Sequence, residues 1–139
     1  MMVQLTPDQV GEHWDKISNA ITKANPEVTS EYIAKCLEST IQGRVQVWAI
    51  TDGEKINALS VTGFFLDPTG VRSLIVMALE GTMSQKDYDE GSQALWQFAK
   101  SYKCSFIGAF VSEEKIVQRY REVFKNLEID ESTYLNMKV

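Results

Sequence analysis

The chain has few of the residues that build metal sites, disulfide frameworks or membrane spans. Its 139 residues include two cysteines, Cys36 and Cys104, and one histidine, His13. No CxxC motif or Cys/His cluster is present, so a zinc site is not expected, and two isolated thiols in apolar contexts fit a reducing compartment. A disulfide between the two cysteines stays open as the alternative. The longest apolar runs, residues 74–79 and 106–111, are far shorter than a membrane span.

Clustered basic residues are also lacking. The chain has 14 Lys and Arg against 19 Asp and Glu, which gives a formal net charge of −5. A nucleic-acid binder needs a basic stripe to displace counterions from phosphates, and none is present. Residues 1–8 lack the basic start and apolar run of a signal peptide. We therefore expect a soluble, cytoplasmic protein with neither a nucleic-acid nor a membrane partner.

The residues that are present suit one compact domain over residues 1–139. The hydrophobic fraction of 44% is sufficient for an ordinary core without metal or disulfide support. Helical spacing of apolar residues predicts helices over residues 6–23, 29–41, 84–102 and 112–124, the first capped by Thr6 with Pro7 in its first position. Alternating or continuous apolar runs predict strands over residues 44–51, 56–66, 71–79, 106–111 and 132–139.

The turns between the predicted strands indicate a meander. Residues 52–53 are Asp-Gly, a strong hairpin signal, and residues 67–70 are Asp-Pro-Thr-Gly, a plain reverse turn. Gly63 interrupts the second strand, where it predicts a bulge. The continuous run over residues 74–79 predicts a central strand that is buried on both faces. The fold class is α/β (α+β), with a mixed, mostly antiparallel sheet and the order α-α-β-β-β-α-β-α-β.

This order resembles the fold of the GNAT N-acetyltransferases. The best local agreement lies in the second half, in residues 94–100 (Ala-Leu-Trp-Gln-Phe-Ala-Lys), residues 104–107 and Tyr120. The resemblance implies that the third strand of the meander and the later strand splay apart and that acetyl-CoA lies between them. It further implies that the pantetheine arm pairs with the backbone of Val76, Met77, Ala78 and Leu79.

The cofactor loop of that family is not preserved. Its pattern, [Gln/Arg]-x-x-Gly-x-[Gly/Ala], places backbone amides against the pyrophosphate, at the N-terminus of the following helix. Counted from Gln85, the two glycine positions hold Tyr88 and Glu90. Asp87, Asp89 and Glu90 favour the helix dipole by themselves and would repel a pyrophosphate. We interpret this stretch as an ordinary acid-rich helix start.

The resemblance implies two catalytic residues. Tyr120 matches the tyrosine that protonates the departing CoA thiolate, and Glu80, at the end of the third strand, stands where a base for an amine could sit. The position seven residues before Tyr120 holds Glu113 where the family has Asn. The structural alternatives are a helix tyrosine with its ring in the core and a solvated strand-end carboxylate.

Adjacent phenylalanines on the second strand pose a separate question. Phe64 and Phe65 point to opposite faces of the sheet, so at most one faces any single core. The other requires a covering helix, a partner or a ligand. A subunit interface and a strand covered on both sides are both open.

Three function classes follow. The favoured one is a non-catalytic GNAT-like domain that acts as a structural or protein-interaction component, with a protein partner or a homo-oligomer and without a cofactor. Small acidic proteins with an eroded GNAT pattern resemble bacteriophage virion components or host-directed factors, so localisation in a virion is included. The alternative is a divergent N-acetyltransferase that uses acetyl-CoA, with Glu80 as base and Tyr120 as acid. The third is a different α+β fold whose cleft binds another small ligand, in which the strands around Val76 and Phe106 pair along their whole length.

Overall fold

A computed structural model describes residues 1–110, 128–129 and 134–138. One seven-stranded sheet has the order β1-β2-β3-β4-β5-β7-β6. Every neighbouring pair is antiparallel except β4–β5, which is parallel. In chain order the elements are β1 (Met2–Gln4), α1 (Pro7–Glu12), α2 (Trp14–Ala24), α3 (Ser30–Ile41), β2 (Val45–Asp52), β3 (Lys55–Leu66), β4 (Arg72–Gly81), α4 (Gln85–Ser101), β5 (Phe106–Phe110), β6 (Glu128–Ile129) and β7 (Tyr134–Lys138).

The predicted first helix is wrong in one respect, since it is two helices. Its start is confirmed: the Thr6 hydroxyl accepts a hydrogen bond from Gln9 N–H, the Gln9 side chain accepts from Thr6 N–H, and Pro7 is the first helical residue. The break comes at His13, which ends α1 and precedes α2 with φ −107° and ψ 17°. Gly11, just before it, weakens the helix at this point. The apolar spacing continues across the break, so periodicity alone does not reveal it.

The meander is confirmed, but its two bulges lie elsewhere than predicted, one at Asn57 of β3, opposite β2, and the other between β3 and β4. Gly63 is paired in register with Val45 on one side and Ile75 on the other. The register shifts where Val61 pairs with Ala78 and Thr62 with Val76, so Met77 is the extra residue and the bulge belongs to β4. A Cβ on Gly63 would lie 3.0 Å from the Met77 sulfur. The glycine therefore makes room for the side chain of the bulged residue.

Two short strands are absent from the prediction. β1 has three residues and pairs antiparallel with β2, and β6 has two residues and pairs with β7. Segments this short carry no usable periodicity. The predicted last strand is confirmed as β7. The predicted helix over residues 112–124 falls outside the described residues.

The sheet has a separate apolar core on each face. α1, α2 and α3 cover one face, where the buried residues include Val10, Ile17, Ile21, Cys36, Val47, Ala49, Leu59, Val61 and Ala78. α4 covers the other, with Leu74, Ala99, Cys104 and Ile107 buried beneath it. β4 contributes to both cores, as predicted for a central strand.

The cysteines belong to different cores. Cys36 and Cys104 are both buried and free, one on each side of the sheet, so the disulfide alternative is wrong. Burial raises the pKa of both thiols. They are packing residues rather than activated nucleophiles.

Candidate functional site

The two parallel strands of the sheet pair over four residues in the described part of the chain. β4 pairs with β5 from Ser73 opposite Phe106 to Val76 opposite Ala109. The described part of β5 reaches Phe110, whereas β4 continues to Gly81. The Met77 bulge follows the last described residue pair between the two strands. Any pairing of β5 after residue 110 falls outside the described residues.

The residues predicted to contact a cofactor lie along β4, from Val76, the last residue described as paired with β5, to Leu79. Val76 and Ala78 are buried, and Met77 and Leu79 are half-buried. The bulge places Ala78 in the core under α2, while Leu79 lies on the side of α4. Contact of Val76, Met77, Ala78 and Leu79 with a pantetheine arm stays a prediction.

Glu80 lies on the opposite side from α4 and forms an ion pair with Lys23 at the end of α2. Its side chain is 35% exposed and that of Lys23 is 71% exposed, so the pair is a surface one and contributes little to stability. The pair lines an open cavity of about 250 Å³ to which Lys16, Asn19 and Asn57 also contribute. The Lys23 ammonium is paired with the Glu80 carboxylate, which would have to be free to act as a catalytic base.

The start of α4 uses its own side chains to satisfy its amides. Ser84 is the N-cap: its hydroxyl accepts a hydrogen bond from Asp87 N–H at 3.1 Å, and Ser84 N–H donates to the Asp87 carboxylate at 3.0 Å. The hydrogen bond from Ser84 N–H holds the pKa of Asp87 below its usual value. The negatively charged Asp87 carboxylate therefore lies at the helix start where the GNAT family binds pyrophosphate.

The residues at the two positions where the family motif has glycine take part in structural contacts here. Glu90 accepts a hydrogen bond from Met2 N–H at 3.2 Å, which ties α4 to the edge strand β1. Tyr88 lines a cavity beneath α4. The prediction of an ordinary acid-rich helix start agrees with these contacts.

Gly81 sets the path from β4 into α4, a role that the sequence analysis missed. Its φ is +121°, and Thr82 N–H donates to Asn57 O at 3.0 Å. A Cβ at residue 81 would lie 2.3 Å from that carbonyl oxygen. A glycine that directly follows an apolar strand and precedes a helix start is the signal for this close approach.

A buried polar chain runs beneath α4 and also went unnoticed. Trp48 Nε1–H donates to Thr62 Oγ1 at 2.9 Å, and the Thr62 hydroxyl donates to Gln46 Oε1 at 2.8 Å. Gln46 Nε2 in turn donates to Gly43 O at 2.9 Å. The alternation of residues along β2 predicted that Gln46 and Trp48 share a face of the sheet. Thr62, which joins them, lies on β3, and the sequence pattern does not show that it pairs beside them.

Tyr120, Glu113 and His13 are the remaining candidate residues. Tyr120 and Glu113 lie outside the described residues, so the catalytic role of Tyr120 stays a prediction. His13 is half-buried between α1 and α2. The described part of the chain contains no group of three metal-binding side chains and no helix long and apolar enough to cross a bilayer.

Comparison with solved structures identifies the fold. A predicted acetyltransferase from Clostridium acetobutylicum, solved with acetyl-CoA, superposes with a TM-score of 0.68 over 94% of this chain and 92% of that one, at 12% identity. A GNAT-family acetyltransferase from Listeria monocytogenes gives a TM-score of 0.62 over 100% and 94% at 8% identity. Aminoglycoside 6'-acetyltransferase type Ii gives 0.67 over 99% and 96% at 11% identity.

No protein-family model and no curated protein sequence matches the chain. The structural similarity nonetheless spans nearly the whole of each protein, and it confirms the predicted GNAT fold. At these identities it establishes the architecture alone.

Proposed function

We propose that this GNAT-fold domain acts as a structural or protein-interaction component and does not transfer acetyl groups. The observation that carries the proposal is the capped, acidic start of α4, where the Asp87 carboxylate accepts from Ser84 N–H and the Ser84 hydroxyl accepts from Asp87 N–H, so both amides are already paired. By its acidic, eroded pattern the domain is proposed to be of the type found among bacteriophage virion or host-directed proteins.

Electrostatics at α4 favours this proposal. Asp87 is ionised at neutral pH because its pKa lies below the ordinary value. Asp89 and Glu90 add two further carboxylates within the first two turns of the helix. Lys86 alone does not offset three carboxylates, so these carboxylates would repel the phosphates of CoA. Phosphates that bound here would also have to displace the capping box formed by Ser84 and Asp87.

Calorimetric titration of acetyl-CoA and CoA into the purified chain tests the proposal. We expect no binding up to millimolar ligand and no rise in thermal midpoint, since a bound ligand would stabilise the fold by mass action. The matched variant carries Tyr88→Gly and Glu90→Gly, which restores the spacing of the family motif from Gln85. Micromolar binding by the unmodified chain, worth about 8 kcal/mol, would overturn the proposal.

The divergent N-acetyltransferase remains the second candidate, because the fold is shared with solved acetyltransferases, one of them solved with acetyl-CoA. In that case Glu80 would have to leave Lys23 to act as base, and Tyr120 would be the acid. If the chain acetylates amines, Tyr120→Phe is the discriminating change: an unaltered rate would remove the tyrosine from the mechanism.

The proposed interaction surface lies where β3 turns into β4, and we call it the hairpin end. Phe65 is 57% exposed and Leu66 62% exposed, whereas Phe64 packs against Phe98 and Tyr102 of α4 and its C-terminal turn. The structure therefore decides which of the two phenylalanines lacks cover. The hairpin end comprises Phe65, Leu66, Arg72, Tyr102 and Lys103.

Charge complementarity suggests a second copy as the occupant. Arg72 donates to the Tyr102 carbonyl at 3.0 Å, so its cationic group lies beside the exposed apolar side chains. The hairpin end carries Arg72 and Lys103 against Asp67, and the opposite end of the sheet carries Asp52, Glu54, Glu80, Asp87, Asp89 and Glu90 against Lys16, Lys23, Lys55, Lys86 and the N-terminal amine. Exposed apolar side chains beside Arg72 at one end and several carboxylates at the other fit a head-to-tail contact, which closes into a ring or continues as a filament.

Sedimentation velocity over a range of concentrations tests this contact. We expect association at low ionic strength that weakens in high salt, because salt screens exposed charges. The double change Phe65→Ser and Leu66→Ser should abolish association and leave the free energy of unfolding within about 0.5 kcal/mol. Tyr32→Ser, at another exposed apolar residue, is the control. A monomer at every concentration and ionic strength would refute the contact.

A further inference from the structure

A small apolar cavity lies between the first half of α4 and the sheet. Its volume is about 50 Å³, and it is distinct from the open cavity at Glu80. The apolar lining comes from β1, β2, β4 and α4 and includes Met2, Trp48, Ile50, Val76, Leu79 and Leu95. The polar residues at its wall are Ser60 from β3 and Asp87, Tyr88 and Ser92 from α4.

One polar atom in this cavity is unsatisfied. Ser60 is only 7% exposed, and its hydroxyl has no hydrogen-bond partner among the described residues. The nearest cross-strand residue, Trp48, already donates its indole N–H to Thr62. Buried polar groups are almost always paired, so an orphaned hydroxyl on an apolar cavity wall needs a physical reason. A ligand that brings its own hydrogen-bonding atom supplies that reason.

The walls of the cavity lie close together, and some of the side chains that form them are flexible. Gly91 lies in the middle of α4, and a Cβ there would come within 3.1 Å of the Met2 sulfur. A glycine inside a helix is unfavourable, so its presence reflects the close approach of α4 to β1. Met2 and Met83 both line the cavity, and flexible methionine side chains adapt to irregular occupants.

We propose that this cavity, which we call the Ser60 pocket, binds a small uncharged molecule that is mostly apolar and carries one hydrogen-bonding group, such as a short-chain alcohol or ketone. An apolar cavity of about 150 Å³ holds benzene, with its six carbon atoms, so one a third as large takes about two non-hydrogen atoms, and displacement of the flexible Met2 and Met83 side chains makes room for about two more. The Ser60 hydroxyl recognises the polar atom of the ligand, and the apolar walls enclose its carbon atoms. Anions are disfavoured because the Asp87 carboxylate at the wall would repel them, and cations are disfavoured because that carboxylate is already engaged with Ser84 and the rest of the lining is uncharged.

A lone water is a poorer occupant of the Ser60 pocket. Buried waters make about three hydrogen bonds each. Here the Asp87 carboxylate is already engaged with Ser84, and Tyr88 also has an interaction partner, so the hydroxyls of Ser60 and Ser92 are the polar groups of the lining that are left for a water. A molecule that offers one hydrogen-bonding group to the Ser60 hydroxyl and packs its carbon atoms against the apolar walls fits this lining better.

The experiment is an NMR titration of the full chain with 2-propanol, followed through the methyl resonances of Ile50, Val76 and Leu79. We expect saturable shifts confined to these methyls, with a dissociation constant in the millimolar range for so small a ligand. Ser60→Ala should weaken 2-propanol binding about three- to tenfold, the equivalent of one hydrogen bond. Xenon, which needs no hydrogen bond, should still enter.

Stability provides the second readout and the control. Ser60→Ala should raise the thermal midpoint of the ligand-free chain by about 2–5 °C, because an unpaired buried hydroxyl is removed. Ser73→Ala removes another buried hydroxyl of the same sheet, outside the pocket, and should leave 2-propanol binding unchanged. Shifts that do not saturate, or equal 2-propanol affinity in Ser60→Ala, would overturn the proposal, as would an ordered water that stays on Ser60 at saturating ligand.

Discussion

Replacing Gly81 with alanine should destabilise the fold by at least about 3 kcal/mol. The new Cβ would lie 2.3 Å from Asn57 O and 2.5 Å from Ala58 Cα, and both are backbone atoms of a paired strand that cannot rotate away. The φ of +121° adds strain, since side-chain-bearing residues rarely adopt it. Urea unfolding followed by circular dichroism measures the loss as a lower midpoint at an unchanged slope.

Gly53→Ala separates conformational strain from steric overlap. Gly53 also has a positive φ, +63°, but a Cβ there would meet nothing within 4 Å. We expect a loss of about 1 kcal/mol from the left-handed conformation alone. Similar losses at Gly53 and Gly81 would mean that the contact with Asn57 does not constrain the β4–α4 junction.

Thr62→Val should cost about 2–4 kcal/mol although the two side chains have nearly the same shape. Thr62 is fully buried, and its hydroxyl both accepts from Trp48 Nε1–H and donates to Gln46 Oε1. Valine leaves that donor and that acceptor unpaired beneath α4, and each carries its own desolvation penalty. The free energy of unfolding from urea titration is the measurement.

Thr62→Ser is the matched control because it keeps the hydroxyl and removes one methyl group. Its expected cost is about 1 kcal/mol, the value of one buried carbon. The serine variant should therefore be clearly more stable than the valine variant. The reverse order would show that the methyl contact, rather than the polar chain, determines the stability at this position.

Local chemistry explains which elements could be predicted. The capping boxes at Thr6 and Ser84 and the Asp52-Gly53 hairpin depend on residues within three or four positions of one another. The residue types carry the information for such features, since the hydrogen bonds and φ angles are local. The GNAT-like element order followed from adding these local units along the chain.

Features that depend on residues far apart in the chain were wrong or missed. β1 exists because Met2–Gln4 finds β2, some 45 residues later, and α4, to which Glu90 anchors Met2 N–H. The bulge was expected at Gly63 and lies at Met77, because side-chain crowding across β3 and β4 decides which strand takes the extra residue. Neither contact has a short-range signature.

The candidate site divides in the same way. Its acidic, glycine-poor helix start could be read directly from residues 85–90, since a motif is a local pattern. The Lys23–Glu80 pair, the exposure of Phe65 and the orphaned hydroxyl of Ser60 could not, because each depends on what another element brings to that position.

The sequence by itself therefore determined the fold class, most of the helices, strands and turns among the described residues, and the absence of the phosphate-binding pattern. Only the tertiary structure decided where α1 ends and α2 begins, where β1 and β6 pair, which polar groups are paired, and which apolar side chains remain exposed. The physical reason is that the first set depends on hydrogen bonds and dihedral angles within a few residues. The second depends on packing and desolvation among strands and helices distant in the chain.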